Sequence, residues 1–269
     1  MNEQSLATWS RGARRSRILE LLESSGEQSV EQLADTFSVS GMTIRRDLQD
    51  LASAGRVIRT HGGAAPAARI SFEFRFLERA QQHAAEKEAI AEVAVSLVQP
   101  GQSVILDSGT TTLAIARRLK TLGRLTVITS SLPIASELFQ AEGIDTILLG
   151  GQLRHDAPDL IGPLALQNLE TLRAHVAFIG ADAVDMQGRL YNASSELGGM
   201  LARMAQASGR AYCVADHTKI GKQELMRFAD LRDWAGLITD NGLSTERRRS
   251  LVAAGVEIMQ PDEQKGNSR

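Results

Sequence analysis

From Ala84 onward the chain alternates between helix-period and strand-period segments, and this alternation restricts its folds more than any other feature. AAEKEAIAEVAVSLVQ reads as a helix stopped by Pro100-Gly101. SVILD, LTVITSS, DTILLGG, HVAFIGAD, RAYCVAD, WAGLITD and VEIM are short apolar runs of strand length. The helical segments among them are TTTLAIARRLK, LPIASELFQA with proline at its start, GPLALQNLETLR, SSELGGMLARMAQAS and STERRRSLVAAG. Seven strands with interleaved helices predict a mainly parallel α/β sheet.

A chain of 269 residues suggests one large domain or two unequal ones. The stretch before Ala84 has a rhythm of its own. Ile18, Leu19, Leu21 and Leu22 give a first helix, and Val30, Leu33, Ala34 and Phe37 a second, short amphipathic one. A turn at Ser38-Val39 leads into a third, as in a helix-turn-helix. Ser40 stands at its N-cap position. Ile44, Leu48 and Leu51 form one apolar stripe, so Met42, Thr43, Arg46 and Gln49 point away from it, with Arg45 at its edge. Hydroxyl, amide and guanidinium groups of this kind read base edges and phosphates in a major groove. Gly55 ends the helix. Arg56, Arg59 and His61 then decorate a short Val-Ile strand that turns at Gly62-Gly63, like a wing.

A surface helix carrying two arginines would be a sufficient account of Arg45-Arg46 alone. The preceding helices and the wing favour a DNA-binding module over 11–63, followed by a linker over 64–83 and an α/β domain over 84–260. Phe72, Phe74, Phe76 and Leu77 of the linker alternate before merging into a helical pattern. Net charge is only -2, and residues 1–69 carry nine Lys or Arg against eight Asp or Glu. The DNA reading therefore rests on where the arginines point. Arg11, Arg14, Arg15 and Arg17 form a basic edge able to approach phosphates, which is compatible with a solvated start to the first helix.

The single cysteine, Cys213, excludes an internal disulfide framework and fits a reducing cytosol. No apolar run approaches the roughly 18 residues of a membrane span, and the N-terminus lacks the apolar core of a signal peptide. A cytoplasmic location is expected, with no membrane partner.

In parallel sheets, ligands bind beyond the carboxyl ends of the strands. Asp107, Ser108, Gly109, Thr110, Thr111 and Thr112 carry a strand through a small polar loop into a helix, which can cradle an anion on backbone amides. A tight turn with a Thr cap accounts for the same residues equally well, and Walker spacing is absent. Other strand ends present Gly150, Gly151, Arg154 and His155; Gly180 and Asp182; Asp216, His217, Thr218 and Lys219; and Thr239, Asp240 and Asn241. Glu196 opens a helix. The five histidines are scattered without metal-ligand spacing, so His155 and His217 read as polar loop residues, and neither metal nor cofactor is implied.

The run VSGMTIRRDLQDL with the later Arg59, Gly62 and Gly63 closely resembles the N-terminal signature of the DeoR family of bacterial transcriptional regulators. Asp107-x-Gly109-Thr110-Thr111, Gly150-Gly151-x-x-Arg154, Gly162-Pro163, Phe178-Ile179-Gly180, Glu196 and Ala215-Asp216-x-x-Lys219-x-Gly221 resemble its C-terminal domain. The resemblance implies a winged helix-turn-helix ahead of a domain similar in fold to ribose-5-phosphate isomerase and CoA-transferase relatives. It further implies operator DNA as partner and a sugar phosphate or related metabolite as effector, sensed through Asp107, Gly109, Thr110, Thr111, Gly151, Arg154, Glu196, Asp216 and Lys219, to which the loop reading adds Ser108. The protein would be a repressor of carbohydrate-metabolism genes, acting as a homo-oligomer and not as an enzyme. Three positions depart from the family pattern: His175 ahead of the Phe-Ile-Gly strand, Gly199-Met200 after Glu196, and Ser130 in Thr129-Ser130-Ser131. A sugar-phosphate isomerase with an accessory module is the rival reading, and a ligand-free nucleoid binder a third.

Overall fold

The computed structural model describes residues 9–53, 56–66, 76, 78–154 and 157–262. The chain divides into two units, Met1–Arg75 and Phe76–Arg269. Gly55, Phe72, Phe74, Leu77, His155, the first eight residues and the last seven lie outside the described residues, as do the expectations placed on them.

The first unit begins with helix α1 (Arg11–Ser25), whose first turn is closed by Ser10 Oγ accepting from the Ala13 amide at 3.3 Å. Strand β1 (Gln28–Ser29) leads directly into α2 (Val30–Phe37). A reciprocal capping box starts α2: Gln32 N donates to Ser29 Oγ and Ser29 N to Gln32 Oε1. Ser38, in the left-handed region at φ 52, ends it and turns the chain toward α3 (Gly41–Ser53). Ser40 Oγ accepts from the Thr43 amide at 3.3 Å. Strands β2 (Val57–Thr60) and β3 (Gly63–Pro66) form the wing, and β3 also pairs with β1. Only glycine fits at Gly63, because an added Cβ would lie 2.2 Å from the Gln28 carbonyl oxygen. The buried side chains of Ile18, Leu22, Val30, Leu33, Phe37, Ile44, Leu48, Leu51 and Val57 make one core. The wing runs further than the sequence suggests: Ala64, Ala65 and Pro66, read as linker, are a buried strand.

The second unit is built on β4 (Ser103–Leu106), β5 (Leu125–Thr129), β6 (Ile144–Leu148), β9 (Ala174–Ile179), β12 (Ser208–Val214), β14 (Gly236–Ile238) and β15 (Ile258–Met259). These are the seven expected strands. All pair in parallel, in the order β15-β14-β12-β9-β4-β5-β6. Helices α4 (Ala84–Ser96), α5 (Thr110–Leu119) and α6 (Leu132–Leu138) share a core with Val104, Leu106, Val127 and Phe178. Helices α7 (Pro163–Thr171) and α8 (Ser195–Gln206) share another with Ile105, Ile128, Ala177 and Ile179. With helices on both faces, residues of either parity are buried in the central strands β4, β5 and β9, which is why these read as continuous apolar runs. Helix α9 (Thr245–Ala253) precedes β15.

Smaller pieces are not legible from periodicity. A hairpin of β7 (Gln152–Leu153) and β8 (Leu160–Ile161) follows β6. Strands β10 (Ala183–Val184), β11 (Arg189–Asn192) and β13 (Met226–Asp230) form a separate antiparallel sheet. The order of the large sheet sets the functional geometry. From β4 the chain steps outward through β5 and β6, returns to the other side of β4 as β9, and then steps the opposite way. The carboxyl ends of β4 and β9 therefore flank a topological switch point, where such sheets open a crevice.

Candidate functional site

On α3, Met42, Arg45, Arg46 and Gln49 are exposed and Thr43 is half-buried, while Ile44, Leu48 and Leu51 are buried. Arg56, Arg59 and His61 are exposed on the wing. Arg59 Nη1 donates to the Arg45 carbonyl at 3.3 Å and so ties the wing to α3. Among the described residues none of Arg45, Arg46, Arg56 and Arg59 is ion-paired.

The basic edge of α1 is arranged differently from the expectation. Arg14 is nearly buried, and its Nε donates to Asp47 Oδ2 at 2.6 Å. Arg15 Nε donates to Asp47 Oδ1 at 3.0 Å and its Nη2 to Asp50, and Arg11 also bonds Asp50. Arg17 pairs with Glu20. These four side chains are directed at carboxylates of their own unit. Asp47 is the residue that sequence reasoning missed. Only 1% exposed, it sits on the buried stripe with Ile44, Leu48 and Leu51. Its i+3 spacing from Ile44 is the signal that could have found it.

In the second unit, Asp107 follows β4 at the switch point and is buried. Its Oδ1 accepts from the Gly109 amide at 3.0 Å and Thr112 Oγ1 at 2.7 Å, and its Oδ2 from the Gly180 amide beyond β9 at 2.8 Å. Burial pushes the carboxyl above its ordinary range, and these donors oppose that shift only in part. Both oxygens are thus engaged in fastening the loop to the end of β9. Gly109 is the N-cap of α5, and among the described residues no side chain caps the first-turn amides. Thr110 is buried and Thr111 half-buried on that turn. Ser108 Oγ donates to Asp159, whose Oδ2 lies 3.6 Å from Arg154 Nη1. Asp159 is fully buried. In the sequence nothing separates it from a solvated loop acid. Gly151, at φ 152, is a close-approach position: an added Cβ would meet the Ile161 carbonyl oxygen at 2.5 Å.

Asp216 and Lys219 lie beyond β12, two strand spacings from β4, or about 10 Å across the sheet. Asp216 Oδ1 accepts from the Thr218 amide at 3.0 Å and caps a short 3-10 turn, on which Lys219 is half-buried. His217 is more than a loop residue: its amide and Nδ1 each lie 2.8 Å from an oxygen of Asp240. Lys87 was also missed. It shares the buried face of α4 with Ile90, Ala91 and Ala94, and its Nζ donates to the Arg79 and Gln82 carbonyls. Burial lowers its pKa, with nearby Asp216 opposing and Lys219 adding to the effect. Glu196 stands exposed on the first turn of α8, and no hydrogen bond or ion pair among the described residues joins it to the others.

The three departures fall in different places. Ser130 is buried at the carboxyl end of β5. His175, in contrast, lies near the amino end of β9, its Nδ1 2.8 Å from Ser103 Oγ. Met200 is buried inside α8. Neither of the latter two is at the strand ends where the polar residues gather. Cys213 is fully buried, and burial pushes its thiol well above the ordinary range. The described residues contain no metal-holding group of three or more His, Cys, Asp or Glu. None of the described helices is long and apolar enough to cross a membrane.

The DeoR-like helix-turn-helix domain model matches residues 14–69, and the DeoR C terminal sensor domain model matches residues 82–241. The chain belongs to the DeoR family. This DeoR-family chain is 34% identical over 246 residues to the HTH-type transcriptional regulator GlpR of Haloferax volcanii, spanning 91% of the chain and 96% of that protein. It is 33% identical over 227 residues to the glycerol-3-phosphate regulon repressor of Haemophilus influenzae, spanning 84% and 88%. Among solved structures, ribose 5-phosphate isomerase A of Methanocaldococcus jannaschii aligns at TM-score 0.39 and 19% identity, over 51% of this chain and 55% of that one. The DeoR-family chain is a transcriptional regulator with a helix-turn-helix domain and a sensor domain, and not an isomerase with an accessory module.

Proposed function

We propose that this DeoR-family regulator is a cytoplasmic repressor of carbohydrate-metabolism genes that leaves its operator when a phosphorylated sugar or related metabolite binds the sensor domain. The observation that carries the DNA half is the sorting of arginines. Those of α1 are held by Asp47, Asp50 and Glu20, whereas Arg45, Arg46, Arg56 and Arg59 of α3 and the wing face outward without acidic partners among the described residues. On this reading Thr43, Arg45, Arg46 and Gln49 meet base edges, with Ser40 and Met42 at the helix start. Arg56, Arg59 and His61 meet the backbone. A single winged module covers too little DNA for high specificity, so a homo-oligomer on paired half-sites is expected, with centres roughly 34 Å apart or at multiples of that.

For the sensor half, the supporting observation is the uncapped start of α5 at the switch point, with Ser108 and Arg154 joined beside it through Asp159. First-turn amides and the helix dipole there favour an anion. Thr110, Thr111 and Arg154 would hold a phosphate, with Lys219 adding charge and Glu196 reaching hydroxyls. Asp107, Gly109, Gly151 and Asp216 would act by holding backbone, because their own polar groups or close contacts are engaged within the loops. Release requires the ligand to bind the DNA-incompetent state more tightly, so operator DNA must weaken ligand binding by the same factor. Calorimetry with glycerol 3-phosphate and hexose phosphates, with and without operator, checks both statements. Equal ligand affinity in the two titrations would refute release by the sugar phosphate.

A further inference from the structure

β6 is the last strand of the large sheet, and among the described residues its outer edge pairs with nothing. Sheet edges that face water are normally blunted by brevity, Lys, Pro or a bulge. The opposite edge follows that rule: β15 is two residues long and is soon followed by Pro261. β6 does not. Its five residues pair with β5 in unbroken register, and Asp145 is their only charge.

The edge is also apolar. Ile147 and Leu148 on β6 are 39% and 41% exposed. Neighbouring elements add Leu132 at the start of α6, Phe139 just past its end at 83%, Leu153 on β7 and Leu164 on α7 at 55%. Six of the eleven exposed large apolar residues among those described therefore belong to β6 and the elements next to it in the chain. Together they amount to about three fully exposed large side chains, roughly 500 Å². A standard interface needs about 800 Å² from each partner, of which about 65% is apolar in homodimers, so the exposed area matches one side of such an interface.

We infer that a second copy of this chain covers this edge, with β6 pairing antiparallel to its counterpart across a two-fold axis. A two-fold contact uses the same patch on both copies. Pairing centred on Thr146 sets Ile144 of each copy opposite Leu148 of the other, and Asp145 opposite Ile147. The two Asp145 carboxylates then never face each other directly, which avoids the like-charge penalty of cross-strand pairs. The choice of a second copy as occupant rests on the paired half-site reading above. The experiment uses no DNA, so the two readings fail separately.

Light scattering on the full chain at micromolar concentration is expected to give a dimer or larger. Ile147→Lys with Leu148→Lys is expected to reduce it to a monomer that still unfolds cooperatively, at a lower temperature because the stabilisation contributed by the second copy is lost. A cysteine trap stands independently of that variant. The buried Thr146 Oγ1 has no hydrogen-bond partner among the described residues, so Thr146→Cys removes no bond seen there, and the native Cys213 is buried away from reaction. Residues paired across an antiparallel ladder lie within the Cα range of a disulfide. Mild oxidation of the Thr146→Cys chain should give a covalent dimer on a non-reducing gel. A strictly monomeric wild type, a Lys variant that remains dimeric, or a Thr146→Cys chain that oligomerises without cross-linking would each overturn the assignment. If the Lys variant fails to fold, the cross-link alone decides.

Discussion

Replacing Asp47 by alanine should damage the DNA-binding unit more than removal of any arginine on its outer face. The Asp47 side chain is 2% exposed and receives Arg14 Nε at 2.6 Å and Arg15 Nε at 3.0 Å. Arg14 is itself 10% exposed, and its remaining described partner is the Trp9 carbonyl at 3.3 Å. Removing one member of a buried pair strands the other charge, at about 3–5 kcal/mol. Arg15 keeps Asp50 as a partner, so the lower end of that range applies. A unit this small has a stability of about 10 kcal/mol at most, and each kcal/mol shifts Tm by about 4–8 °C. The Asp47→Ala transition should therefore fall by roughly 12 °C or more. Asp50→Ala removes a carboxylate of similar partners but 42% exposed, and should change stability by about 1 kcal/mol or less. Arg14→Met with Asp47→Leu should recover most of the loss, because apolar groups of similar volume replace the pair without a stranded charge. Differential scanning calorimetry of the full chain resolves these cases. Equal effects of Asp47→Ala and Asp50→Ala would refute the argument that burial decides.

Arg45→Ala with Arg46→Ala should weaken operator binding by about 1–3 kcal/mol for each arginine that meets a base edge, read by gel shift at fixed salt; unchanged affinity would remove α3 from the recognition role. Gly63→Ala forces a Cβ onto the Gln28 carbonyl and should cost about 2 kcal/mol or more in urea unfolding, since that backbone cannot give way without opening the β1–β3 pair. Asp230 is held at about 2, chiefly by its hydrogen bonds from Arg232. A depressed carboxylate stabilises above its unfolded value and loses that contribution as pH falls through the folded one. The Tm gap between wild type and Asp230→Asn should accordingly be constant above pH about 4 and close toward pH 2; a gap independent of pH would contradict the pairing.

By itself the sequence determined both architectures and the outer face of α3. Helix and strand periods are local, and in this chain they agree with the packing: every strand of the parallel sheet is an apolar run between breakers, and Ile44, Leu48 and Leu51 mark the inside of α3 wherever the rest of the chain goes. The departures from expectation are contacts between residues far apart in sequence. No local pattern says that Asp47 will meet Arg14 and Arg15, that Asp107 will bond the Gly180 amide, or that Ser108 will meet Asp159. Burial then changed what such residues can do. Arg14 and Arg15 became partners of the buried Asp47, Asp107 became a fastener for its loop, and His175 and Met200 fell away from the carboxyl ends of the strands. The short strands of the antiparallel sheet and the β7–β8 hairpin are likewise fixed by their partners, because two to five residues carry too little periodicity to specify a strand. Residue type and spacing thus set which groups could act, and tertiary packing decided which of them remain available to a ligand.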